Sequence, residues 1–260
     1  MLTAHDLKMS LSGTPVLDQV SLQLAAGQVM VILGPNGTGK TTLLKVLTGE
    51  LTPDDGAVQF QQQPLKQWSA AARAQRLAVL PQHSTLNFPF TAREVVLLGR
   101  SAHSSGQVRD RAIVDSALAL VDGSYLAERF YTQLSGGEKQ RVQLARVLAQ
   151  IWEPPSDGLP GDERFLVLDE PTSSFDLSHR QLMLDVIKHF AKQGVGVLMV
   201  SHDLNLAAQC ADQVMLLSCG HVAACGDCDT VLREPLLRDV FMADIEVVPH
   251  PSTGQSLIIY

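Results

Sequence analysis

The 260 residues contain no apolar run approaching the roughly 18 residues that a membrane-crossing helix requires. The longest candidates, Val29–Leu33 and Val195–Val200, have the length of buried strands instead. The opening residues Met1-Leu2-Thr3-Ala4-His5-Asp6 lack a basic cluster followed by an apolar stretch, so no secretory leader is expected. Positive charge is also scarce. Twenty Lys/Arg stand against 27 Asp/Glu, a net charge of −7, which disfavours an electrostatic grip on nucleic acid or insertion into anionic lipid. Residues 83–150 carry eight basic and six acidic side chains, too mild an asymmetry to mark a partner surface. Internal repeats and low-complexity tails are absent. What remains is 45% hydrophobic and 18% charged, a composition that excludes disorder and supplies a sizeable core. The expectation is a soluble intracellular chain.

Cysteine is confined to Cys210, Cys219, Cys225 and Cys228. With His221 the last three form C-x-H-x3-C-x2-C, which offers zinc-ligand types. However, Val214–Leu217 and His221–Ala224 have the pattern of two strands turning at Gly220, and alternation would send neighbours to opposite faces. Free, buried thiols are therefore expected.

Val20-Ser21-Leu22-Gln23-Leu24 alternates with period two, as in a half-exposed antiparallel strand. Val29–Leu33, Phe165–Leu168 and Val197–Val200 are continuously apolar, the mark of strands covered on both faces. Between the last two, Leu182, Met183, Val186, Ile187 and Phe190 recur at helical spacing. Buried strands alternating with helices imply an α/β fold with a largely parallel sheet. From about Thr91 to Gln150 the period is helical throughout: Val95, Val96 and Leu97, then Ile113, Val114 and Leu118, then Val142, Ala145 and Ala149. The expected organisation is therefore a single domain over 1–260. Its α/β core with an N-terminal antiparallel β subdomain spans about 1–82 and 151–260, and an inserted helical subdomain spans about 83–150. The Pro-, Gly- and acid-rich stretch Trp152–Glu163 should be a surface excursion.

Gly34-Pro35-Asn36-Gly37-Thr38-Gly39-Lys40-Thr41, followed by Thr42 and an apolar helix pattern, matches G-x-x-x-x-G-K-[ST] after a buried strand. Glycines let successive N–H groups converge on phosphate oxygens, and a helix N-terminus adds its dipole. Lys40 should reach the β- and γ-phosphates, and the Thr41 hydroxyl should ligate Mg²⁺. Phe165–Leu168 places Asp169 at the carboxyl end of a strand, where it can hold Mg²⁺ through water. Glu170, one residue on, is positioned to accept a proton from attacking water. Leu134-Ser135-Gly136-Gly137-Glu138-Lys139-Gln140-Arg141 makes a second anion-ready helix start. One chain does not need two such sites for one triphosphate, so a head-to-tail dimer is the economical explanation.

With these motifs in order, the chain resembles the ATP-binding subunits of ABC transporters over essentially all of its length. The resemblance implies a P-loop (RecA-like) core that binds ATP and Mg²⁺ and works as a homodimer. In it Ser135, Gly136 and Gly137 of each copy close on the nucleotide held by the other. Val79-Leu80-Pro81-Gln82 resembles the Q-loop, implying that Gln82 meets the metal or attacking water and couples to the membrane partner. Ser173-Ser174-Phe175-Asp176 stands at the D-loop position, where Phe175 departs from the usual leucine. Val200-Ser201-His202-Asp203 resembles the switch motif, implying a His202 contact with the γ-phosphate.

Arg76–Gln82, Asn87–Val96 with Gly99-Arg100, and the Trp152–Glu163 stretch resemble the iron-complex and vitamin B12 importer branch, most closely its hemin importer ATPases. That implies a separate polytopic permease dimer and, indirectly, a periplasmic or surface substrate-binding protein. It also implies peripheral location on the cytoplasmic face of the bacterial inner membrane. Ferric siderophore and cobalamin are the alternative cargoes. A soluble non-transport ABC ATPase would be expected to carry coiled-coil or zinc insertions, or two cassettes, and a phosphate-loop kinase would not need Leu134–Glu138.

Where the family commonly stacks an aromatic residue on adenine, this chain has Leu11, which covers a base without an aromatic quadrupole. The missing stacking is worth about 0.5–1.5 kcal/mol. Weak discrimination among purine nucleotides is the expected outcome of an ATP-against-GTP competition assay.

Overall fold

The computed structural model describes residues 1–82, 86–154, 163–172 and 175–260. Two antiparallel strands open the chain, β1 (Leu2–Leu11) and β2 (Thr14–Leu24), followed by the buried strand β3 (Val29–Leu33) and helix α1 (Lys40–Leu47). Next come β4 (Asp55–Phe60), β5 (Gln63–Pro64), α2 (Ala70–Ala74) and β6 (Leu77–Leu80). Three helices follow: α3 (Ala92–Leu97), α4 (Gln107–Leu120) and α5 (Gly136–Gln150). The chain then alternates through β7 (Arg164–Asp169), α6 (Leu177–Lys192), β8 (Val195–Val200), α7 (Leu204–Cys210) and β9 (Gln213–Ser218). It finishes with β10 (His221–Gly226), α8 (Cys228–Val231), α9 (Glu234–Phe241), β11 (Glu246–Pro249) and β12 (Ser256–Ile259).

The strands form a six-stranded sheet in the order β10-β9-β3-β8-β7-β6 and a four-stranded antiparallel sheet in the order β2-β1-β4-β5, with β11 and β12 pairing separately. In the larger sheet only the β10–β9 pairing is antiparallel. Every residue of β3, β7 and β8 is buried. Their alternate side chains feed two different cores. Val29, Val31, Leu166, Leu168, Val197 and Met199 join α3–α6. Met30, Ile32, Phe165, Val167, Leu198 and Val200 join α1 and the small sheet. Continuous apolar runs are what such doubly covered strands demand.

The β2 alternation is as expected, with Val20, Leu22 and Leu24 buried and Ser21 and Gln23 exposed. Two helical expectations shift. Leu97 is exposed, because it ends α3 where the chain tightens into a 3₁₀ turn. On α6 the buried face holds Leu184 with Met183, Val186, Ile187 and Phe190, and Leu182 is only half-buried. The hairpin turn falls where the sequence places it. Cys219 (φ 47°) and Gly220 (φ 80°) supply the two left-handed residues that a two-residue turn prefers. The thiols are free, but only Cys210 is buried: Cys228 is half-buried, Cys219 is exposed in the turn, and Cys225 is exposed on the edge strand β10, whose alternate residues point to solvent. Among the described residues no cluster of three or more His, Cys, Asp or Glu side chains is placed to hold a metal. No helix among them is long and apolar enough to cross a membrane. Most of the expected Trp152–Glu163 excursion lies outside the described residues, as do Ser173 and Ser174.

Phe165 ties the two sheets together. It is fully buried and sits edge-on to Phe60 of β4 at 5.4 Å between ring centroids. Phe165→Ala should destabilise the fold by about 3–5 kcal/mol, read as a lowered midpoint in urea unfolding.

Candidate functional site

The cradle begins where β3 ends. A Cβ on Gly34 would lie 2.1 Å from the Leu217 carbonyl oxygen, so only glycine lets the chain pass β9. At the other end Gly39 caps α1 in the left-handed region (φ 97°), with the Val16 carbonyl oxygen 2.8 Å from where a Cβ would stand. Between them Asn36 and Gly37 lie exposed at the mouth. Thr38 Oγ1 donates to the Pro35 carbonyl at 3.0 Å. The buried Lys40 ammonium donates to the carbonyls of Gly34 (2.8 Å) and Pro35 (2.7 Å). Burial lowers its pKa, against the opposing pull of Glu170 and Asp169. Thr42 sits half-buried in the first turn of α1, which starts at Lys40 rather than at Thr42.

The Thr41 hydroxyl lies close enough to the Asp169 carboxylate to help hold its pKa down, which brings together two of the three expected metal ligands. Burial raises the Asp169 pKa, with Glu170 adding to the effect, while the Thr41 bond and the Lys40 and Lys45 charges oppose it. Asp169 Oδ1 is buried without a hydrogen-bond partner. A desolvated carboxylate oxygen left open beside a hydroxyl is the donor set of a small hard cation, so these residues fit Mg²⁺.

Glu170 follows in the left-handed region, φ 49°, a conformation that costs a non-glycine residue energy and that clusters at working sites. Its N–H is held by the Val200 carbonyl of the neighbouring strand at 3.1 Å. The carboxylate is gripped from both sides: Gln82 Nε2 donates to Oε2 at 2.7 Å, and His202 Nε2 lies 2.5 Å from Oε1. The three residues expected to be catalytic thus converge on one carboxylate beside the cradle. Gln82, expected at the metal or the attacking water, makes its hydrogen bond to Glu170. Two supporting contacts escaped the sequence reading. Asp176 caps α6, and accepting from the His179 N–H, the Ser178 hydroxyl and the His179 ring holds its pKa down at about 2. Arg180, one turn on, donates to Asp203 beside His202 at 3.2 Å. The Arg180–Asp203 pair spans 23 positions and leaves no periodic signal, whereas an Asp directly before the apolar period of α6 is a cap signal that could have marked Asp176.

Ser135 caps α5. Its hydroxyl accepts the Glu138 N–H, and Glu138 returns the bond to the Ser135 N–H. Those bonds lower the Glu138 pKa, and Arg129 lowers it further. The helix is tied to the core through Gln140, whose amide donates to the Pro171 carbonyl at 2.6 Å. Gly136 and Gly137 form its first turn.

The model of the ABC transporter family matches residues 17–173, more than half of the chain. The chain belongs to the ABC transporter family. It is 48% identical to the hemin import ATP-binding protein HmuV of Pseudomonas fluorescens over 259 residues, covering all of this chain and 99% of that one. Identity is also 48% to the HmuV of Gloeobacter violaceus, with 94% of that protein covered. A chain described as a metal-chelate type ABC transporter in an inward-facing conformation superposes with a TM-score of 0.80 at 24% identity, covering 99% of this ABC chain and 96% of its own. A likeness at that identity carries the fold alone.

Because burial raises the Asp169 pKa, folding favours the protonated carboxyl, and the resulting penalty grows as pH rises through that raised value. It vanishes below the unfolded value of about 3.9. Asp169→Asn should therefore raise the melting temperature of the nucleotide-free protein near pH 7.5, with the gain shrinking toward pH 4, while weakening Mg²⁺-dependent nucleotide binding. Thermal melts across that range, with and without Mg²⁺-ATP, check both signs.

Proposed function

We propose that this ABC ATPase powers hemin import through a separate permease. The observation that carries this reading is full-length identity of 48% to hemin import ATP-binding proteins, joined to the convergence of Gln82 and His202 on Glu170 beside the cradle. Lys40 exchanges the carbonyls of Gly34 and Pro35 for the β- and γ-phosphates of ATP. Thr41 and Asp169 would hold Mg²⁺, which when bound neutralises charge on the phosphates. Glu170 takes a proton from the attacking water as its oxygen bonds to the γ-phosphorus and the bond to ADP breaks, with His202 at the γ-phosphate. Gln82 carries the state of this carboxylate toward the permease. Phe88, Phe90 and Phe130 are exposed there, the first two with ring centroids 6.1 Å apart. They give the surface near Gln82 and the helical subdomain an apolar face for the permease, at the cytoplasmic side of the inner membrane.

In the same proposal two copies close head to tail, Ser135, Gly136 and Gly137 of each capping the triphosphate cradled by the other. Closure and reopening drive the permease. Glu170→Gln should bind ATP and stall as a closed dimer in size-exclusion chromatography; wild-type turnover would require another base. Ser135→Arg should leave ATP binding to one chain largely intact and abolish hydrolysis. For cargo, the ATPase rate of the reconstituted complex should rise with hemin-loaded binding protein. A rise with a ferric siderophore or cobalamin instead would reassign the cargo and leave the hydrolytic mechanism standing.

A further inference from the structure

His202 is followed within three residues by Asn205, the second residue of α7. The Asn205 carboxamide makes two hydrogen bonds to a single distant residue: Nδ2 donates to the Ile258 carbonyl at 2.9 Å, and the Ile258 N–H donates to Oδ1 at 2.8 Å. The β11–β12 register explains why Ile258 is available. Val247 faces Ile258, Val248 faces Leu257 and Pro249 faces Ser256. The His250 N–H bonds the Gln255 carbonyl at 2.7 Å. In an antiparallel ladder bonded pairs alternate with non-bonded ones, so Val247–Ile258 is non-bonded and both polar groups of Ile258 point away from β11. Pro249, which has no N–H to offer, falls on the same non-bonded phase. Asn205 thus takes the place of a third strand on the open edge of β12, while the Ile258 side chain is 3% exposed in the main core.

The α7 start is held from the opposite side as well. Asp203 accepts from Arg180 of α6 at 3.2 Å and from the Leu206 N–H at 2.9 Å. Upstream, the Ser201 N–H is fixed to the Ile32 carbonyl at 3.1 Å. A seven-residue helix has little stability of its own, so the direction of the loop carrying His202 depends on what α7 is fastened to.

We infer that Asn205 is a positioning residue for His202, and that the β11–β12 hairpin is the strut it braces against. This rests on the reading of His202 as the γ-phosphate contact. The test is steady-state ATP hydrolysis by the full-length subunit in its permease complex. Asn205→Ala should lower kcat about ten- to a hundredfold, the scale of a small misplacement at a reacting centre, with KM for ATP within about twofold. Asn205→Asp, which keeps the acceptor and loses the donor, should fall between. The double variant His202→Ala/Asn205→Ala should hydrolyse no more slowly than His202→Ala alone, because residues acting as a unit are not additive. Wild-type kcat in Asn205→Ala, or a further loss in the double variant, overturns the proposal. So does loss of folded structure by circular dichroism in both Asn205 variants, which would make the contact merely structural. If His202→Ala itself keeps full kcat, the His202 reading fails first and is seen to fail separately.

Discussion

The cradle and the carboxylate cluster around Glu170 hang from the carboxyl edge of one sheet, and that edge is held because its central strands are buried on both faces. Gly34 leaves β3, Asp169 ends β7 and His202 lies two residues past β8. Gln82 lies two residues past β6, and the strands run β3-β8-β7-β6. Neighbouring strands lie about 4.8 Å apart, so their ends arrive within hydrogen-bonding reach of one another. Slipping a strand by one residue would send its side chains to the wrong core. Two distinct cores, one under the helices and one under the small sheet, penalise that slip from both sides. Positional accuracy at Glu170 is therefore a consequence of packing well away from it.

The charged groups at this edge suit phosphates and a cation in the proposed mechanism. Lys40 is buried and satisfied by two carbonyl oxygens, and Asp169 keeps an oxygen with no partner. Glu170 adds left-handed backbone strain. Each feature costs the fold some stability, and each is compensated by phosphates and a cation in the proposed mechanism. The cradle glycines serve the same end by bringing backbone, rather than side chains, against the ligand.

Much of this was legible in the sequence because the signals are local or periodic. The buried strands, the alternation in β2, the Gly220 hairpin and the phosphate loop each follow from residues close in the chain. The convergence of Gln82 and His202 on Glu170 was legible because their motifs sit at strand ends. What stayed hidden is long-range. Nothing in Asn205 or Ile258 announces a bond across 53 positions, nor does Arg180 advertise Asp203. Exposure at Cys219, Cys225 and Leu97 was misjudged for a related reason. An apolar or thiol side chain is buried only if a neighbour covers it, and hairpin turns, edge strands and helix ends have fewer neighbours. The left-handed Glu170 has no sequence signature, since the strain is imposed by the neighbouring strand that holds its N–H.

The proposed division of the site between two copies follows from how α5 begins. Its capping box uses the Ser135 hydroxyl and the Glu138 carboxylate on each other's N–H groups. That leaves the first-turn N–H groups of Gly136 and Gly137 as the helix end's remaining donors. Neither glycine has a Cβ to block an approaching anion, and nothing lies within 4 Å of where one would stand on Gly136. The side chains of this helix are tied to the same chain, Glu138 to Arg129, Gln140 to the Pro171 carbonyl, and Arg141 to Asp122 and Tyr125. In the proposed dimer this donor set serves the cradle of the second copy, and the packing of α5 against α3 and α4 stays as it is. The rigidity that makes each half-site accurate is thus also what makes a lone chain incomplete in this reading.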